Sequence, residues 1–420
     1  MLIKRVIWEQ LLNHLKKPEV TVLIGSRQVG KTYLMRTLQS QLHATDKRTV
    51  FLSLDVETEK RFFVTQQGLL DYLRLQLGNT YGYVFIDEIQ RKENAGLFLK
   101  GIYDMNLPYK FIVSGSGSLD IKAKIKESLA GRKRIFIIDP ISFAEFVNFK
   151  TKYRYEDKLQ DFFSIEKVKT RSFLEEYMLF GGYPRVVLAE TANEKTSEMG
   201  EIFRSYIDRD ITDLLSVDKP ESLTELLRIV ASQIGSLINI TELSNTIGIS
   251  NKTIQRYLWY LEQTFIIKKL TPFSRNIRSE ITKAPVYYFS DTGLRNYLLG
   301  FFSLPSVPPS LSGHLFENVV FNTLRQHLGD AATGIHFWRT RDNAEVDFVV
   351  TVGLEPIPIE VKYSSLKRRD IPRPFKSFIK RYKPAQGFIF HLGEPQSSKF
   401  QKIKIGILPF TQLPLQQFLK

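Results

Sequence analysis

The stretch VTVLIGSRQVGKTYLMRTLQSQL, residues 20–42, decides the fold of the amino-terminal part of this 420-residue chain. Residues 20–24 predict a buried β-strand, and the residues from Tyr33 onward predict a helix. Between them, GSRQVGKT fits the pattern G-x-x-x-x-G-K-T in the strand-to-helix setting that the pattern requires. The stretch therefore predicts a loop whose backbone N–H groups hold phosphate oxygens at the start of a helix. An ordinary glycine-containing turn is the alternative interpretation.

Each residue of this loop has a candidate role. Lys31 should reach the β- and γ-phosphates of ATP, and Thr32 should ligate Mg²⁺. ATP and Mg²⁺ are thus the predicted cofactors. The predicted nucleotide contacts are Gly25, Ser26, Arg27, Gln28, Val29, Gly30, Lys31 and Thr32.

Four further strands are predicted before residue 140, at 49–55, 83–88, 110–118 and in RIFIID. The second of them, YVFIDE, runs into two acids in the Walker B arrangement. Asp87 would hold Mg²⁺ through water, and Glu88 would polarise the attacking water. Ser114, in the following strand, is a candidate sensor of the γ-phosphate, with a plain Ser-Gly turn as the alternative. Strands that alternate with helices predict an α/β fold with a parallel sheet and the nucleotide at the carboxyl ends of its strands.

The segments GSRQVGKT, FIDEIQ, IVSGSGS and ESLAGRKRIFIIDPISFAEF together resemble the AAA-type ATPase domain of a large prokaryotic group. In that group the ATPase is followed by a long tail of poorly defined function. The resemblance implies an ATPase over residues 1–145, and it makes Arg132 a candidate arginine finger or phosphate sensor. A surface arginine is the alternative. FGGYPRVV (180–187) and SYIDRDI (205–211) resemble signatures of the same tail, and the residues of neither one indicate a mechanism.

Residues 146–215 predict helices, and residues 216–300 predict a winged helix-turn-helix. Thr241 and Ser250 are the predicted caps of the two helices of the helix-turn-helix, and Gly248 opens the turn between them. The second helix should bury Ile254, Tyr257, Leu258 and Leu261. The residues left facing outward, which are the candidate DNA contacts, are Asn251, Lys252, Gln255 and Arg256. A protein-docking module with a solvated helix face is the alternative.

Residues 301–311 predict a proline-rich linker to a last region, 312–420. In that region, alternating apolar residues around Gly353 predict a β-hairpin in which Phe348 faces Ile359 and Val350 faces Ile357. The same register places Asp347 opposite Glu360 and Glu345 opposite Lys362. Glu345 and Lys362 can form an ion pair, but two opposed acids destabilise a strand pair. A shared cation would relieve the repulsion between Asp347 and Glu360. The alternative is that both acids splay into water.

A helix carrying Glu317, a strand carrying Asp347 and a strand carrying Glu360 and Lys362 resemble the PD-(D/E)xK nuclease core. The resemblance implies that Glu317, Asp347 and Glu360 hold Mg²⁺ and that Lys362 orients or activates water. The metal would stabilise charge on a scissile phosphate. A nuclease-like fold that only docks onto DNA or protein is the alternative.

The composition limits which kinds of partner and metal site are expected. The net charge of +15 and the pI near 9.6 favour nucleic acid or an anionic membrane as partner, with a basic surface that binds neither as the alternative. The chain has no cysteine, which excludes disulfides and thiolate metal sites. No signal peptide or membrane span is predicted, so we expect a cytoplasmic protein with ATP and DNA as partners and a homo-oligomer as a further possibility. A STAND-like nucleotide-controlled switch whose tail binds protein is the rival hypothesis.

Overall fold

The structure is a computed structural model, and it describes residues 3–116, 129–207, 220–275, 284–329, 334–340, 342, 344–353, 355–366 and 371–413. Within these parts of the chain, every helix is too short or too polar to cross a membrane.

The amino-terminal region is built on a five-stranded sheet in the order β2-β3-β4-β1-β5, with all neighbouring strands parallel. This confirms the predicted α/β fold with a parallel sheet. Because the strands are parallel, their carboxyl ends meet at one edge of the sheet. The strands are β1 Val20–Gly25, β2 Thr49–Ser53, β3 Gly82–Asp87, β4 Tyr109–Ser116 and β5 Lys133–Ile137.

Helices cover both faces of this sheet, since alternate residues of β1 belong to two different cores. Leu23 packs in one core, and Val22 and Ile24 pack in the other. The helices are α1 Trp8–His14, α2 Lys31–His43, α3 Glu57–Lys60, α4 Gln66–Leu77, α5 Ala95–Asp104 and α6 Phe143–Lys150, with 3₁₀ turns at Arg61–Phe63 and Ile89–Arg91.

The middle of the chain is helical, as predicted, over the part that the structure describes. Gly181 and Gly182 form the short connection between α8 and α9. The signature at 205–211 lies partly outside the described residues. The helices are α7 Leu159–Ile165, α8 Lys167–Phe180, α9 Pro184–Leu188, α10 Ala192–Ser205, α11 Pro220–Ser232, α12 Ile240–Ile247 and α13 Asn251–Gln263, with a 3₁₀ turn at Glu156–Lys158.

Helices α12 and α13 lie on either side of the predicted turn at Gly248, but one predicted cap is wrong, and a winged helix-turn-helix stays a prediction. The amino-terminal cap of α12 is Asn239, whose side chain accepts the N–H of Thr241 at 3.1 Å. Ser250 caps α13 as predicted and accepts the N–H of Thr253 at 3.1 Å. Gly248 ends α12 in the left-handed region at φ 76°, which a glycine adopts without strain.

The rest of the chain forms an eight-stranded sheet in the order β12-β13-β11-β10-β9-β8-β6-β7. Strands β6 and β7 directly follow α13 and pair with each other, and β6 also pairs with β8 through Thr271 and His336. The strands that follow the helix-turn-helix therefore continue into the tail sheet. The strands are β6 Ile267–Pro272, β7 Val286–Phe289, β8 Ile335–Arg339, β9 Glu345–Val352, β10 Glu355–Val361, β11 Gln386–His391, β12 Gln396–Phe400 and β13 Ile403–Pro409.

Three helices contact this sheet, and one of them begins inside the predicted linker. They are α14 Thr292–Leu298, α15 Pro309–Leu328 and α16 Arg373–Tyr382, with 3₁₀ turns at Phe301–Ser303 and Phe410–Gln412. Residues 301–311 thus hold a turn and the first residues of α15. One hydrophobic core contains residues from α11, α13, α15 and β10, so the predicted linker does not separate two unconnected cores. The predicted division into domains otherwise stays a prediction.

The hairpin of β9 and β10 has the predicted register. Ile359 pairs with Phe348, and Ile357 pairs with Val350. All four side chains are buried in one core, which explains why the apolar pattern fixes this register.

Candidate functional site: a phosphate-binding loop and a paired-acid cluster

The loop between β1 and α2 has the backbone shape that the sequence predicted. Gly30 lies at φ 97° immediately before α2, where a residue with a side chain would be strained. A Cβ at Gly25 would clash with the carbonyl oxygen of Ile138. Both glycines of the motif are therefore required by the backbone. The loop opens at the amino end of a 13-residue helix, which favours an anion.

Lys31 is held inside this loop. Its ammonium donates to the carbonyl oxygens of Gly25 at 2.9 Å and Ser26 at 2.8 Å, and the residue is only 5% exposed. Both of these acceptors are neutral carbonyl oxygens. A phosphate oxygen would be a stronger acceptor, because a charge-assisted hydrogen bond is roughly twice as strong as a neutral one.

The end of β3 meets the loop through Asp87. Thr32 donates its hydroxyl to one oxygen of Asp87 at 2.7 Å, and Ser114 donates to the other. Thr32, Asp87 and Ser114 come from three different elements, and all three are sequence-predicted residues. The geometry brings a hydroxyl and a carboxylate together beside Lys31, which is the donor set that Mg²⁺ accepts next to phosphates.

Glu88 follows Asp87 and adopts a left-handed backbone, φ 56°. Its N–H donates to Ser114 at 3.3 Å, and its carboxylate accepts a hydrogen bond from Gln90. Burial raises the pKa of Glu88, and the charges on Lys31 and Arg27 oppose that rise. A carboxylate of raised pKa beside the loop is suited to accept a proton from water.

A cavity of about 890 Å³ lies over the loop, and sites of about 300–1,000 Å³ accommodate ligands of nucleotide size. Both the amino-terminal region and the helical middle line it. The lining residues are Ile3, Arg5, Arg27, Gln28, Val29, Gly30, Lys31, Thr32, Tyr33, Leu34, Glu88, Ile141, Pro184, Arg185, Leu188, Glu201, Arg204 and Ser205.

The segment FGGYPRVV, which the sequence left without a mechanism, forms one wall of this cavity. The hydroxyl of Tyr183 donates to Ser26 at 3.3 Å, and Arg185 donates to Gln28 at 3.2 Å. Gly182 approaches the backbone of Ile141 so closely that a Cβ would clash with its carbonyl oxygen. The adjacent glycines were the feature of the sequence that could have indicated this packing, because adjacent glycines often mark a close backbone approach.

A second set of contacts to the loop comes from Arg5. Its guanidinium donates to the carbonyl of Val29 at 3.1 Å, to the carbonyl of Asp139 at 2.6 Å and to the carboxylate of Glu145 at 3.2 Å. These bonds fix the loop against the chain segment after β5. Sequence reasoning missed Arg5, because one arginine in a basic amino-terminal stretch carries no distinguishing signal.

Arg132 lies at the end of the strands that is opposite to the loop. The N–H of Val20, the first residue of β1, donates to the carbonyl of Arg132 at 2.9 Å, whereas the loop follows the last residue of β1, about 17 Å along the strand. The guanidinium donates to Asp104 at 2.7 Å. Arg132 therefore does not reach the loop of its own chain. A role as an arginine finger requires a second copy and stays a prediction.

The predicted DNA-contacting face of α13 is exposed. Asn251, Lys252, Gln255 and Arg256 are all exposed, while Ile254, Tyr257, Leu258 and Leu261 are buried. The helix period therefore places these residues as the sequence predicted. Trp259, 47% exposed, lies on the same helix. DNA binding by this face stays a prediction.

The acids of the tail lie near one another. Asp347 accepts the N–H of Val361 at 2.6 Å. Burial raises the pKa of Asp347 well above its ordinary value, and the negative charges of Glu360 and Glu317 raise it further. The second oxygen of Glu360 is buried without a hydrogen-bond partner among the described residues. The hairpin register places the two acids opposite each other, with Glu360 buried and Asp347 half-buried.

Lys362 pairs with Glu360 at 2.6 Å, not with Glu345. Glu345 lies 3.7 Å from Arg339 instead, so the alternative of a Glu345–Lys362 ion pair is wrong. A residue two positions away in an extended segment lies on the same face, and this favours the pair between Glu360 near the end of β10 and Lys362 just after it. Burial lowers the pKa of Lys362, but Glu360 and Asp347 raise it by more.

The predicted metal site of the tail is only partly formed. Glu317 lies on α15, with its carboxylate 3.3 Å from His314. Over the residues that the structure describes, no group of three or more His, Asp or Glu side chains converges closely enough to hold a metal ion. Asp347 and Glu360 remain as a pair with one free buried oxygen, and Mg²⁺ accepts one or two carboxylates together with waters. The pair fits Mg²⁺, and Glu317 as a third ligand stays a prediction.

Three protein families match successive parts of the chain. Residues 17–147 match the family described as AAA domain. Residues 171–304 and 312–413 match two families described as domains of unknown function, DUF8612 and DUF4143. The amino-terminal region is thus similar to AAA domains and the last region of the chain is similar to DUF4143 domains, in agreement with the resemblance seen in the sequence.

Relatives that align along most of the chain are uncharacterised proteins. One from Methanocaldococcus jannaschii is 28% identical over 379 residues, which are 87% of this chain and 79% of that protein. One from Mycobacterium tuberculosis is 26% identical over 388 residues, 92% of this chain and 79% of that protein. One from Haemophilus influenzae is 24% identical and covers 84% of this chain and 85% of that protein.

Similar solved structures include AMPPCP-bound DnaA from Aquifex aeolicus and Cdc6p from Pyrobaculum aerophilum. The first has a TM-score of 0.29 at 15% identity and covers 63% of this chain and 89% of that chain. The second has a TM-score of 0.28 at 11% identity and covers 72% of this chain and 96% of that chain. TM-scores of this size carry no information on function, so the assignment of the AAA domain rests on the matched family and on the sheet and loop described above.

Proposed function

We propose that this protein binds ATP with Mg²⁺ and hydrolyses it. The observation that carries the proposal is the meeting of Lys31, Thr32, Asp87 and Glu88 at the carboxyl ends of β1 and β3. Lys31 would exchange the carbonyls of Gly25 and Ser26 for phosphate oxygens. Thr32 and Asp87 would hold Mg²⁺, which when bound neutralises phosphate charge. Glu88 would orient water and take its proton.

Loss of the loop lysine tests this proposal. Lys31→Ala should abolish ATP binding measured by calorimetry, and Lys47→Ala, an exposed lysine just beyond α2, should bind as the wild type does. Retained ATP binding in a folded Lys31→Ala protein would overturn the proposed role of the loop.

We infer a second function, DNA association with Mg²⁺-dependent cleavage at the tail, from the paired acids. Asp347 and Glu360 would hold the ion, and the ammonium of Lys362, bonded to Glu360, would orient water toward a scissile phosphate. The exposed residues of α13 would position the duplex. Combined substitution of Lys252→Ala and Arg256→Ala should then weaken DNA binding in a salt-dependent way.

A nucleotide-controlled switch is the competing function. It is favoured by the cavity wall at 181–185, which brings the helical middle directly onto the P-loop, so that a nucleotide would contact both regions. A protein that binds ATP but no DNA under any salt condition would support this function over DNA association. A homo-oligomer would give Arg132 of one copy access to another copy's loop, and this arrangement belongs to the same proposal.

A further inference from the structure

Helix α16 presents a strongly basic face. Its buried side is apolar, with Phe375, Phe378 and Ile379 fully buried. The opposite side and the residue after the helix carry Arg373, Lys376, Lys380, Arg381 and Lys383. These five residues form no ion pair within the described parts of the chain. The helix and the residue after it therefore bring five positive charges into about 15 Å of length, without an acidic partner among the described residues.

The edge hairpin of the tail sheet extends this face. The ammonium groups of Lys376 and Lys380 lie 5.8 Å and 6.0 Å from the ring centre of Phe400 in β12. Helix α16 and the hairpin β12–β13 therefore share one surface, here called the α16 basic surface. The hairpin adds the exposed residues Lys399, Lys402 and Lys404.

Two lysines of the hairpin are directly opposed. Lys399 pairs with Lys404 across β12 and β13, and like charges in that position destabilise the strand pair. A lysine on an edge strand also prevents edge-to-edge aggregation, which would account for Lys399 alone. It does not account for the five cations on α16 and just after it. The single acid of residues 371–413, Glu394, is paired with Lys167.

We propose that the α16 basic surface binds the phosphate backbone of nucleic acid, independently of α13. Duplex DNA carries about one charge per 1.7 Å of axis, so a row of unpaired cations about 15 Å long suits it. A membrane is disfavoured because an interfacial helix needs an exposed apolar face, and that of α16 is buried in the core. A protein partner is disfavoured because protein interfaces have an apolar centre, which this surface lacks.

This inference rests on the proposed DNA association, and it assigns the backbone contacts of that association to a surface outside the helix-turn-helix. Contacts of lysine with phosphate are independent of sequence, whereas base contacts specify it. The α16 basic surface should therefore contribute affinity and salt dependence, and α13 should contribute sequence preference. The two surfaces can be tested separately.

The test measures binding of the full chain to a short fluorescent duplex of arbitrary sequence, at salt concentrations from about 50 to about 200 mM. The variant combines Lys376→Gln, Lys380→Gln, Lys399→Gln and Lys404→Gln. The matched control combines Lys16→Gln, Lys47→Gln, Lys60→Gln and Lys169→Gln, four exposed lysines of the amino-terminal and middle regions. Circular dichroism establishes that each protein is folded. Should the first variant not fold, Arg373→Gln, Arg381→Gln and Lys383→Gln replace it.

For the variant, the slope of log affinity against log salt should decrease by about 3 to 4, and affinity at low salt should fall at least about tenfold. The control should keep the wild-type slope. An equal loss in both proteins, or no loss in the variant, would overturn the proposal. Binding of the wild type to phosphatidylserine vesicles but not to DNA would also overturn it.

The outcomes also separate this inference from the proposed DNA association. If Lys252→Ala with Arg256→Ala abolishes binding while the four-lysine variant binds normally, the α16 basic surface has no such role and the DNA association stands. If the wild type binds no duplex at the lowest salt, both fail.

Discussion

The hydroxyl of Thr32 donates to Asp87 at 2.7 Å and thereby joins the start of α2 to the end of β3. The two residues are 55 positions apart in the chain, and the parallel pairing of the sheet brings them together. Asp87 also accepts from Ser114 on β4. One carboxylate thus links the phosphate-binding loop to two neighbouring strands.

Thr32→Ala should raise the Mg²⁺ concentration that ATP binding requires. Its effect on ATP affinity at saturating Mg²⁺ should be smaller. The substitution removes one predicted ligand of Mg²⁺, and losses of roughly 10- to 100-fold in metal affinity follow even from changes around a metal site. Titration of Mg²⁺ at fixed ATP measures the effect, with Ser40→Ala on the exposed side of α2 as control. An unchanged Mg²⁺ requirement would contradict the role of Thr32.

Tyr183→Phe should reduce ATP affinity modestly. It removes the hydroxyl that contacts Ser26 in the loop, and a neutral hydrogen bond contributes about 1 kcal/mol, which corresponds to about fivefold in Kd. Calorimetry with ATP measures the change, and Tyr81→Phe, an exposed tyrosine just before β3 that does not line the cavity, is the control. Equal affinities for Tyr183→Phe and the wild type would show that the 181–185 wall does not shape the nucleotide site.

We expect the free energy of unfolding to depend on pH through the carboxyl group of Asp291. It is 3% exposed and accepts the N–H of Gly182 at 2.6 Å and that of Leu294 at 2.8 Å. Burial raises its pKa from 3.8 to about 6, although these N–H groups oppose the rise. Between those two values the folded protein binds more protons than the unfolded chain, so the contribution of Asp291 to stability falls as pH rises.

The measurement compares unfolding of the wild type and Asp291→Asn by denaturant across pH. The free energy of unfolding of the wild type minus that of the variant should fall by about 3 kcal/mol between a pH of about 4 and a pH of about 7. Above that range the difference should be constant. A difference that rises with pH, or that does not vary, would show that Asp291 is not held at a raised pKa.

Asp347→Asn should abolish any Mg²⁺-dependent cutting of DNA by the tail. It should also stabilise the folded protein at neutral pH, because it removes a carboxyl whose pKa is raised by burial and by Glu360. Nicking of a supercoiled plasmid measures the first effect, and thermal unfolding measures the second. Glu355→Gln, an exposed acid at the start of β10, is the control. Cutting that survives in Asp347→Asn would place the nuclease site elsewhere.

Local patterns predicted the parts of the fold and site that depend on local chemistry. The P-loop is a backbone shape fixed by Gly25 and Gly30, so a short motif specifies it. The register of β9 and β10 follows from alternating apolar residues that share one core. The buried face of α13 follows from the helix period. In each case the physical cause lies within a few residues of the pattern.

Contacts between distant segments were not predictable in this way. Nothing near Arg5 in the sequence indicates that it will bond to Val29, and the role of Tyr183 depends on how the middle helices pack on the loop. The cap of α12 was misplaced because Asn239 and Thr241 are both suitable cap residues two positions apart. The partner of Lys362 depended on whether the cross-strand or the same-strand neighbour lies closer.

The rate of ATP hydrolysis by Glu88→Gln tests the central claim most directly. The variant keeps the size of the side chain, so ATP binding should stay within a few-fold of the wild type, while turnover should fall by about 10²- to 10⁴-fold because the proton acceptor is lost. Glu93→Gln, an exposed acid five residues further along, should hydrolyse ATP at the wild-type rate. Hydrolysis by Glu88→Gln at the wild-type rate would contradict the account of this site.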